Sequence, residues 1–357
     1  MGVPDHMDST TPAVPHGADG ENTEPGVPGR ETERRPFHIN WAALLTNYAA
    51  VGVLLLIVVY SLVEPHTFAK LDTFKSMVLT QSALALVALG LVTPLVAGEF
   101  DLSIGSVLGF TAVLSAKMIS TGSAVVVTLV AVAAVGVIIG IVNSFLIVRL
   151  EVSSFIATLA TGIILDGAAL WTSGGQTIFQ NVGKPFTSLG NNEILGILPL
   201  PGVYVIVGAL ILWYVLERTP LGREMYITGY GREAARLAGI RVHRRVTIAL
   251  LVSSGVGALA GFVYAANLGS ASPGVGNSFL LPAFAAAFLG STAIRSGRFN
   301  VVGTLVAAAL LAVGITGLLL GGAQPYVQQF FYGGALIVSV AFAQLGVRRL
   351  KASRADR

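Results

Sequence analysis

The residue patterns of common enzyme sites are absent from this sequence. A phosphate-binding loop needs spaced glycines followed by Lys and Ser or Thr, whereas the single Gly-Lys pair, Gly183-Lys184, is followed by Pro185. The five histidines are scattered and form no His-Glu-x-x-His motif, and cysteine is absent. We therefore expect no enzymatic chemistry, no bound nucleotide and no metal site in this chain.

Three carboxylates are notable because they lie in or beside long apolar stretches. Glu99 and Asp101 share a short acidic turn, and Asp166 lies within another apolar run. An ionisable group at membrane depth is costly and usually faces a bundle interior or water. Asp101 can cap a helix beginning at Leu102, whereas Glu99 has no evident structural partner. For Asp166, a polar partner inside a bundle and the lining of a water-filled passage both stay open.

The composition indicates that membrane helices must carry these residues. Of the 357 residues, 54% are hydrophobic and 11% are charged, against roughly a quarter charged in soluble domains. Stretches of about 20 apolar residues, the length of a membrane span, lie near 42–63, 76–97, 123–148, 203–217, 246–267, 300–320 and 325–346. Weaker ones lie near 102–119, 154–172 and 279–294. We predict an all-α, polytopic membrane protein with about ten transmembrane helices, or eight or nine with a re-entrant turn at 98–102.

The distribution of Lys and Arg predicts the orientation of these spans. With the N-terminus in the cytoplasm and ten crossings, fifteen of the Lys and Arg residues after position 36 fall on the inner side. The four on the outer side are Lys70, Lys75, Lys117 and Lys184. Because cytoplasmic loops carry the excess of positive charge, both termini are expected to be cytoplasmic.

The first 36 residues have a different character. They hold seven acidic residues, three arginines and six of the 15 prolines, so they cannot bury enough apolar surface to offset their ordering entropy. We predict a disordered cytoplasmic tail at 1–36, a transmembrane domain at 37–347 with a cytoplasmic loop at 217–245, and a basic cytoplasmic tail at 348–357.

That cytoplasmic loop contains a short predicted helix. Residues 233–238 are good helix formers, Gly231 can open the turn before them, and Gly239 suits the position after the last helical residue. Contact with lipid headgroups through the neighbouring arginines is one use for such a helix; docking of a partner is the other. The chain has little to cover its apolar side, which comprises Ala234, Ala235, Leu237 and Ile240.

Four motifs resemble one family of membrane proteins. The stretch Gly-Arg-Glu-Ala-Ala-Arg-Leu-Ala-Gly-Ile at 231–240 resembles the coupling-helix loop of ribose-type sugar permeases in ATP-binding-cassette importers. Residues 97–106 are similar to the family's Gly-Gly-Ile-Asp-Leu-Ser-Val-Gly-Ser, and residues 154–159 to its Phe-Ile-Ala-Thr-Leu. The fourth motif runs through Phe-Leu-Gly-Ser-Thr at 288–292, Gly-Arg at 297–298 and Val-Gly-Thr-Leu at 302–305.

The resemblance implies a type II-like permease fold that works as a pair of subunits in the cell membrane, expected to be a homodimer surrounded by lipid. It also implies an ATPase subunit that binds ATP and Mg beneath the pair, a sugar-binding protein outside, and no nucleic acid partner. The chain itself would bind no cofactor. The implied ATPase-coupling residues are Gly231, Glu233, Ala234, Ala235, Arg236, Leu237 and Gly239.

Candidate residues of the translocation pathway follow from the same motifs and from the polar groups inside the spans. They are Glu99, Phe100, Asp101, Ser103, Phe155, Thr158, Asp166 and Asn267. The chain departs from the family at Glu99-Phe100, in place of Gly-Ile, and at Asp166-Gly167, in place of Arg-Gly. Both departures change charge or bulk, so the resemblance specifies a pentose, hexose or related polyol but no particular sugar.

Two other functions remain open at this stage. An ion-driven secondary transporter of a small polar solute would use Glu99 and Asp166 as relays and would need no partner. A membrane-embedded enzyme or scaffold is the third possibility. The loop at 231–240 favours the importer, because a self-sufficient carrier needs no docking helix there.

Overall fold

The computed structural model describes Gly2 and residues 48–293 and 297–355, with side chains at 51–292 and 297–341 of the two long segments. The described helices belong to one compact unit, Trp41–Arg357. Apart from Gly2, the predicted tail at 1–36 lies outside the described residues, so its disorder stays a prediction.

Helices account for nearly all of the described secondary structure. In chain order they are α1 (Tyr48–Val63), α2 (Leu71–Val96), α3 (Ile104–Ser120), α4 (Val125–Ser144), α5 (Ser154–Ser173), α6 (Lys184–Asn191), α7 (Leu200–Arg218), α8 (Pro220–Tyr230), α9 (Arg232–Leu237), α10 (Val242–Leu268), α11 (Asn277–Ala293), α12 (Val301–Leu320) and α13 (Tyr326–Ala355). A π-helical turn, Phe145–Arg149, continues α4. Two short strands, β1 (Glu193–Ile194) and β2 (Leu198–Pro199), pair antiparallel before α7.

The apolar stretches of the sequence coincide with helices, and α13 runs on through most of the predicted basic tail. Among the described residues, six helices are long and apolar enough to cross a membrane: α2, α4 with its π turn, α5, α7, α10 and α12. Shorter apolar segments lie in α1, α3 and α11. The prediction of a helical, multi-pass membrane protein is therefore confirmed with six candidate spans, and the number of ten crossings stays a prediction.

The centre of the bundle is α10, which packs against α2, α3 and α4. Helices in a membrane associate through close packing of small residues, and this occurs where α11 crosses α12. Gly290 and Gly303 face each other there, and a Cβ on Gly303 would overlap the Gly290 carbonyl oxygen. Asn300 fixes the same crossing, because its Oδ1 accepts from the Gly303 amide at 2.7 Å and its Nδ2 donates to the Gly290 carbonyl at 3.2 Å. The fourth sequence motif is thus a packing element.

The hydrophilic segment at 173–199 is mostly exposed but is not irregular throughout. It contains α6, which has Pro185 in its first turn and packs against α10. Phe186 of α6 is buried, and its ring meets Phe262 edge-on at 5.1 Å between centroids. The buried Phe186 ring helps to anchor this short helix to α10.

Candidate functional site

The acidic turn, residues 98–103, joins α2 to α3 and packs against α8. Gly98 has a φ of +80°, in the left-handed region that favours glycine. A Cβ at this position would lie 3.2 Å from the Gly229 Cα of α8. The turn therefore needs glycine both for its conformation and for its close approach to α8.

Asp101 is fully buried at the start of α3. Its Oδ1 accepts from the Ser103 amide at 3.0 Å and from the Ser103 hydroxyl at 2.6 Å, and its Oδ2 accepts from the Ser253 hydroxyl of α10 at 2.6 Å. The helix begins at Ile104, two residues later than Leu102. The side chain thus satisfies a backbone amide beside the helix start, in the manner of a cap, and also fastens the turn to α10.

Further polar contacts hold the turn between α4 and α5. Asn143 of α4 donates to the Ser103 hydroxyl at 2.9 Å, and the Thr158 hydroxyl of α5 accepts from the Leu102 amide at 3.0 Å. Ser103 and Thr158 are both fully buried, whereas Phe100 and Phe155 are largely exposed. The structure therefore brings six of the eight candidate pathway residues around one turn, with two aromatic rings at its accessible surface.

Glu99 has a partner that the sequence does not reveal. Its side chain is almost completely buried, and its Oε1 forms an ion pair with the Arg232 guanidinium at the start of α9. The expectation that Glu99 lacks a structural partner is therefore wrong. A buried carboxylate needs such a partner because desolvation of an isolated charge is expensive.

The predicted short helix is present as α9, and a second helix, α8, precedes it. Gly239 has a φ of +78° and donates to the Arg236 carbonyl at 2.9 Å, while Ile240 donates to the Ala235 carbonyl at 3.0 Å. This is the Schellman end that a glycine after the last helical residue indicates. The signal for α8 was available in the sequence as Thr219 followed by proline, and the Thr219 hydroxyl accepts from the Gly222 amide at 3.4 Å.

The apolar side of α9 is divided between the protein interior and the surface. Ala235 is fully buried in a cluster with Ile147, Val246 and Leu250, so its expected place on an uncovered surface is wrong. Ile240 packs against the same cluster. A six-residue helix can bury only one side, and here the side carrying Ala235 is the inner one. The exposed residues of the predicted coupling set are Glu233, Ala234, Arg236, Leu237 and Gly239.

Helix α8 is fixed to the bundle by charged and aromatic contacts. Glu224 pairs with Arg245 of α10 at 2.6 Å. Tyr226 lies under the Arg298 guanidinium, 3.6 Å from the ring centroid, and donates to the Phe299 carbonyl at 2.8 Å. Burial raises the pKa of Tyr226 to about 12 despite the opposing effect of Arg298, so the phenol keeps its proton and this hydrogen bond.

A polar cavity of about 530 Å³ lies where the acidic turn, α9 and the π turn meet. Glu99, Arg232, Arg236 and His243 line it, and Arg236 contacts His243 at 3.2 Å. Glu151 also faces this cavity, and its φ of +56° is unusual for a residue other than glycine. The cavity is therefore rich in charged side chains. Within the described residues, no group of three or more His, Cys, Asp or Glu is arranged to hold a metal ion.

Comparison with known proteins decides the family. A family model described as branched-chain amino acid transport system / permease component matches residues 74–340, which include the acidic turn, α5, α8 and α9. This chain belongs to that permease family.

Similar proteins carry the names of sugar-related permeases. The ribose import permease protein RbsC of Bacillus subtilis is 32% identical over 312 residues, covering 87% of this permease and 96% of the relative. The D-allose transport system permease protein AlsC of Escherichia coli is 27% identical over 89% of this chain and 97% of its own length. The autoinducer 2 import system permease protein LsrD of Salmonella paratyphi B is 30% identical over 74% of this chain and 81% of its own length. No solved structure matches the permease. The resemblance to ribose-type permeases is confirmed.

Two candidate pathway residues of the permease make their contacts elsewhere. Asp166 accepts from the Asn277 side chain at 3.2 Å, and it lies about 12 Å beyond Thr158 along α5. Asn267 donates to the Gly190 carbonyl of α6 at 3.2 Å. Neither has a contact with the acidic turn, so they do not form one site with it.

Proposed function

We propose that this chain is the membrane-spanning permease subunit of an ATP-driven importer. Its solute is a sugar, a pentose, hexose or related polyol, delivered by an extracytoplasmic binding protein. The observation that carries the proposal is the anchored α8–α9 segment, which exposes Leu237 on one side and pairs with Glu99 of the acidic turn on the other. The names of the ribose, D-allose and autoinducer 2 relatives support the class of solute.

The proposed assembly has four kinds of partner. An ATPase subunit binds ATP and Mg and docks on α9, a second copy of the permease completes the translocation unit, a sugar-binding protein docks on the outer side, and lipid surrounds the bundle. The fold is type II-like with about ten crossings in the cell membrane and both termini in the cytoplasm. The predicted orientation places the acidic turn and α9 on the same, inner side, which is consistent with their contact.

The coupling route runs from α9 to the acidic turn. A docked ATPase contacts Ala234 and Leu237, and Ala235 transmits the movement because it is embedded in the permease. Arg232, at the start of the same helix, then acts on Glu99. The acidic turn also holds the start of α3 through Asp101 and Ser103. Displacement of α9 therefore changes the position of Phe100 and of the pathway beside it.

The ion-driven carrier is less well supported. A relay carboxylate must bind and release its ion freely, whereas Glu99 is buried and paired with Arg232. Among the proposed relays this leaves Asp166, which is partly exposed and hydrogen-bonded to Asn277. The two proposed relays, Glu99 and Asp166, are therefore not a pair of free acids.

The test is the energy source of uptake. Right-side-out vesicles containing the permease and its partners are given D-ribose or D-allose, with ATP supplied inside. We expect uptake that stops when internal ATP is depleted and continues with an uncoupler. Uptake that survives ATP depletion and collapses with the uncoupler would overturn the proposal in favour of a secondary carrier.

A further inference from the structure

A second cavity, of about 620 Å³, lies far from the acidic turn and from α9. It is bounded by the first turns of α2, α11 and α13 and the last turns of α12, which meet at the end of the bundle that the Lys and Arg distribution predicts to face outward. Its volume is within the range of about 300–1,000 Å³ that small-molecule sites occupy. None of the eight candidate pathway residues lines it.

The wall that α2 contributes is a polar stripe. Asp72, Ser76 and Thr80 follow one another at four-residue spacing, which places them on one face of the helix, and Gln81 lies beside them. The stripe extends about 12 Å along the axis from Asp72 to Thr80. Beyond it α2 is buried and apolar, beginning at Leu84, which forms part of the cavity floor. The polar stripe is therefore confined to the part of α2 that faces the cavity.

The other three helices contribute further polar side chains to the cavity. Thr316 of α12, Ser278 of α11 and Gln328 of α13 also line the cavity. Tyr332, one turn beyond Gln328, is buried to 6% exposure, and its hydroxyl interacts with the side chains of Gln81 and Gln328. Phe279 adds an aromatic ring. Hydroxyls, amides and aromatic rings from four helices thus converge on one space.

The charge of the lining restricts the ligand. Asp72 is the one ionisable acid or base among the residues that line the cavity, apart from the phenol of Tyr332, and no Lys or Arg is present there. A carboxylate or phosphate ligand would meet no cation. The Thr80 and Ser278 hydroxyls donate to backbone carbonyls at 2.9 and 2.7 Å, which leaves their oxygens as acceptors. An acyl chain offers these oxygens no donor, whereas a hydroxyl-rich ligand does. A neutral molecule with many hydroxyl groups and apolar C–H faces satisfies both the polar stripe and the rings.

We propose that this cavity is an outward-facing binding site for a neutral sugar or polyol, built within a single permease chain. A pair of permeases then has two such sites, one in each subunit. The proposal rests on the proposed function for the identity of the ligand as the transported solute, whereas the existence of the site rests on the cavity alone. The acidic turn, at the other end of α2, is reached only after the solute has left this site.

Single-cysteine labelling tests the site directly, because the natural chain contains no cysteine. Thr80→Cys places a thiol in the cavity, and Thr121→Cys places a control thiol at the exposed end of α3 on the same predicted side. Right-side-out vesicles containing the full-length permease and its partners are treated with a membrane-impermeant maleimide. D-ribose, D-allose and xylitol are each added alone, and sugar uptake is measured in the same preparation.

We expect both thiols to react and at least one of these ligands to slow labelling of Thr80→Cys severalfold without affecting Thr121→Cys. Adding Thr316→Trp, which fills the cavity from α12, should remove that protection. Unchanged labelling of Thr80→Cys in vesicles that import the added sugar would overturn the cavity proposal and leave the importer standing. Protection of Thr80→Cys without any ATP-driven uptake would support the cavity and overturn the importer.

Discussion

Glu99 and Arg232 are 133 residues apart in the sequence, yet their side chains form an ion pair that joins the acidic turn to the first residue of α9. Glu99 is 3% exposed, whereas the arginine side chain is about half exposed. Removing the arginine leaves a buried carboxylate without its cation. Such a change costs about 3–5 kcal/mol in a fully buried pair, and the half-exposed guanidinium makes the loss smaller here because water screens it. Loss of the pair is therefore expected to affect both the stability of the permease and its coupling to uptake, and the two effects can be measured separately.

We expect Arg232→Gln to lower both the thermal stability of the permease and sugar uptake, uptake by roughly tenfold, a factor equivalent to about 1.4 kcal/mol. The double variant Glu99→Gln with Arg232→Gln removes both charges, so stability should recover while uptake stays low. Uptake is measured in vesicles, and the melting temperature is measured on permease extracted from the same membranes with detergent.

The control for this experiment is Glu193→Gln, which breaks the partly exposed pair with Lys75 at 2.8 Å on the predicted outer side. Partly exposed pairs of this kind contribute little, so its stability should stay close to that of the wild type. Wild-type uptake by the stable double variant would contradict the coupling role of the Glu99–Arg232 pair and leave it a structural contact.

The Asp101 network predicts a different phenotype. Ser253→Ala removes one hydrogen bond to a fully buried carboxylate, a loss of about 1.5–3 kcal/mol for a bond to a charged group. We expect a lower melting temperature and a lower yield of assembled permease. Ser115→Ala is the matched control, because Ser115 is equally buried but donates to the Thr111 carbonyl of its own helix at 2.7 Å. Equal melting temperatures for the two variants would show that Asp101 does not depend on α10.

The neighbouring alanines of α9 separate folding from docking. Ala235→Arg places a charge in the cluster of Ile147, Val246 and Leu250, and burial of an unpaired charge is among the changes that destabilise proteins by about 4 kcal/mol or more. We expect little folded protein from this variant. Ala234→Arg, at an exposed position, should fold normally and bind less ATPase. Normal yields from Ala235→Arg would contradict the inward orientation of Ala235.

The sequence predicts the positions of the helices better than it predicts the contacts between them. Apolar runs predicted where α1–α5, α7 and α10–α13 lie, and Gly239 predicted the end of α9, because length, hydrophobicity and a glycine turn are local properties. The inward side of α9 was missed because six residues make fewer than two turns, too few for periodicity to fix a face. The Glu99–Arg232 pair and the burial of Phe186 depend on tertiary packing. The interacting residues are far apart in the chain and follow no regular spacing, so a single sequence gives no signal for these contacts.

The central claim is that a separate ATPase drives this permease through the exposed side of α9. Leu237 of α9 and Leu195, which lies in the β1–β2 turn on the opposite predicted side, are 92% and 91% exposed. Leu237→Glu and Leu195→Glu therefore make the same change at two equally accessible positions, with little effect on folding. The decisive measurement is the amount of ATPase that co-purifies with each variant from the same membranes. We predict that Leu237→Glu loses most of the ATPase and that Leu195→Glu retains it. Wild-type amounts of ATPase bound to Leu237→Glu would contradict the assignment of α9 as the docking helix.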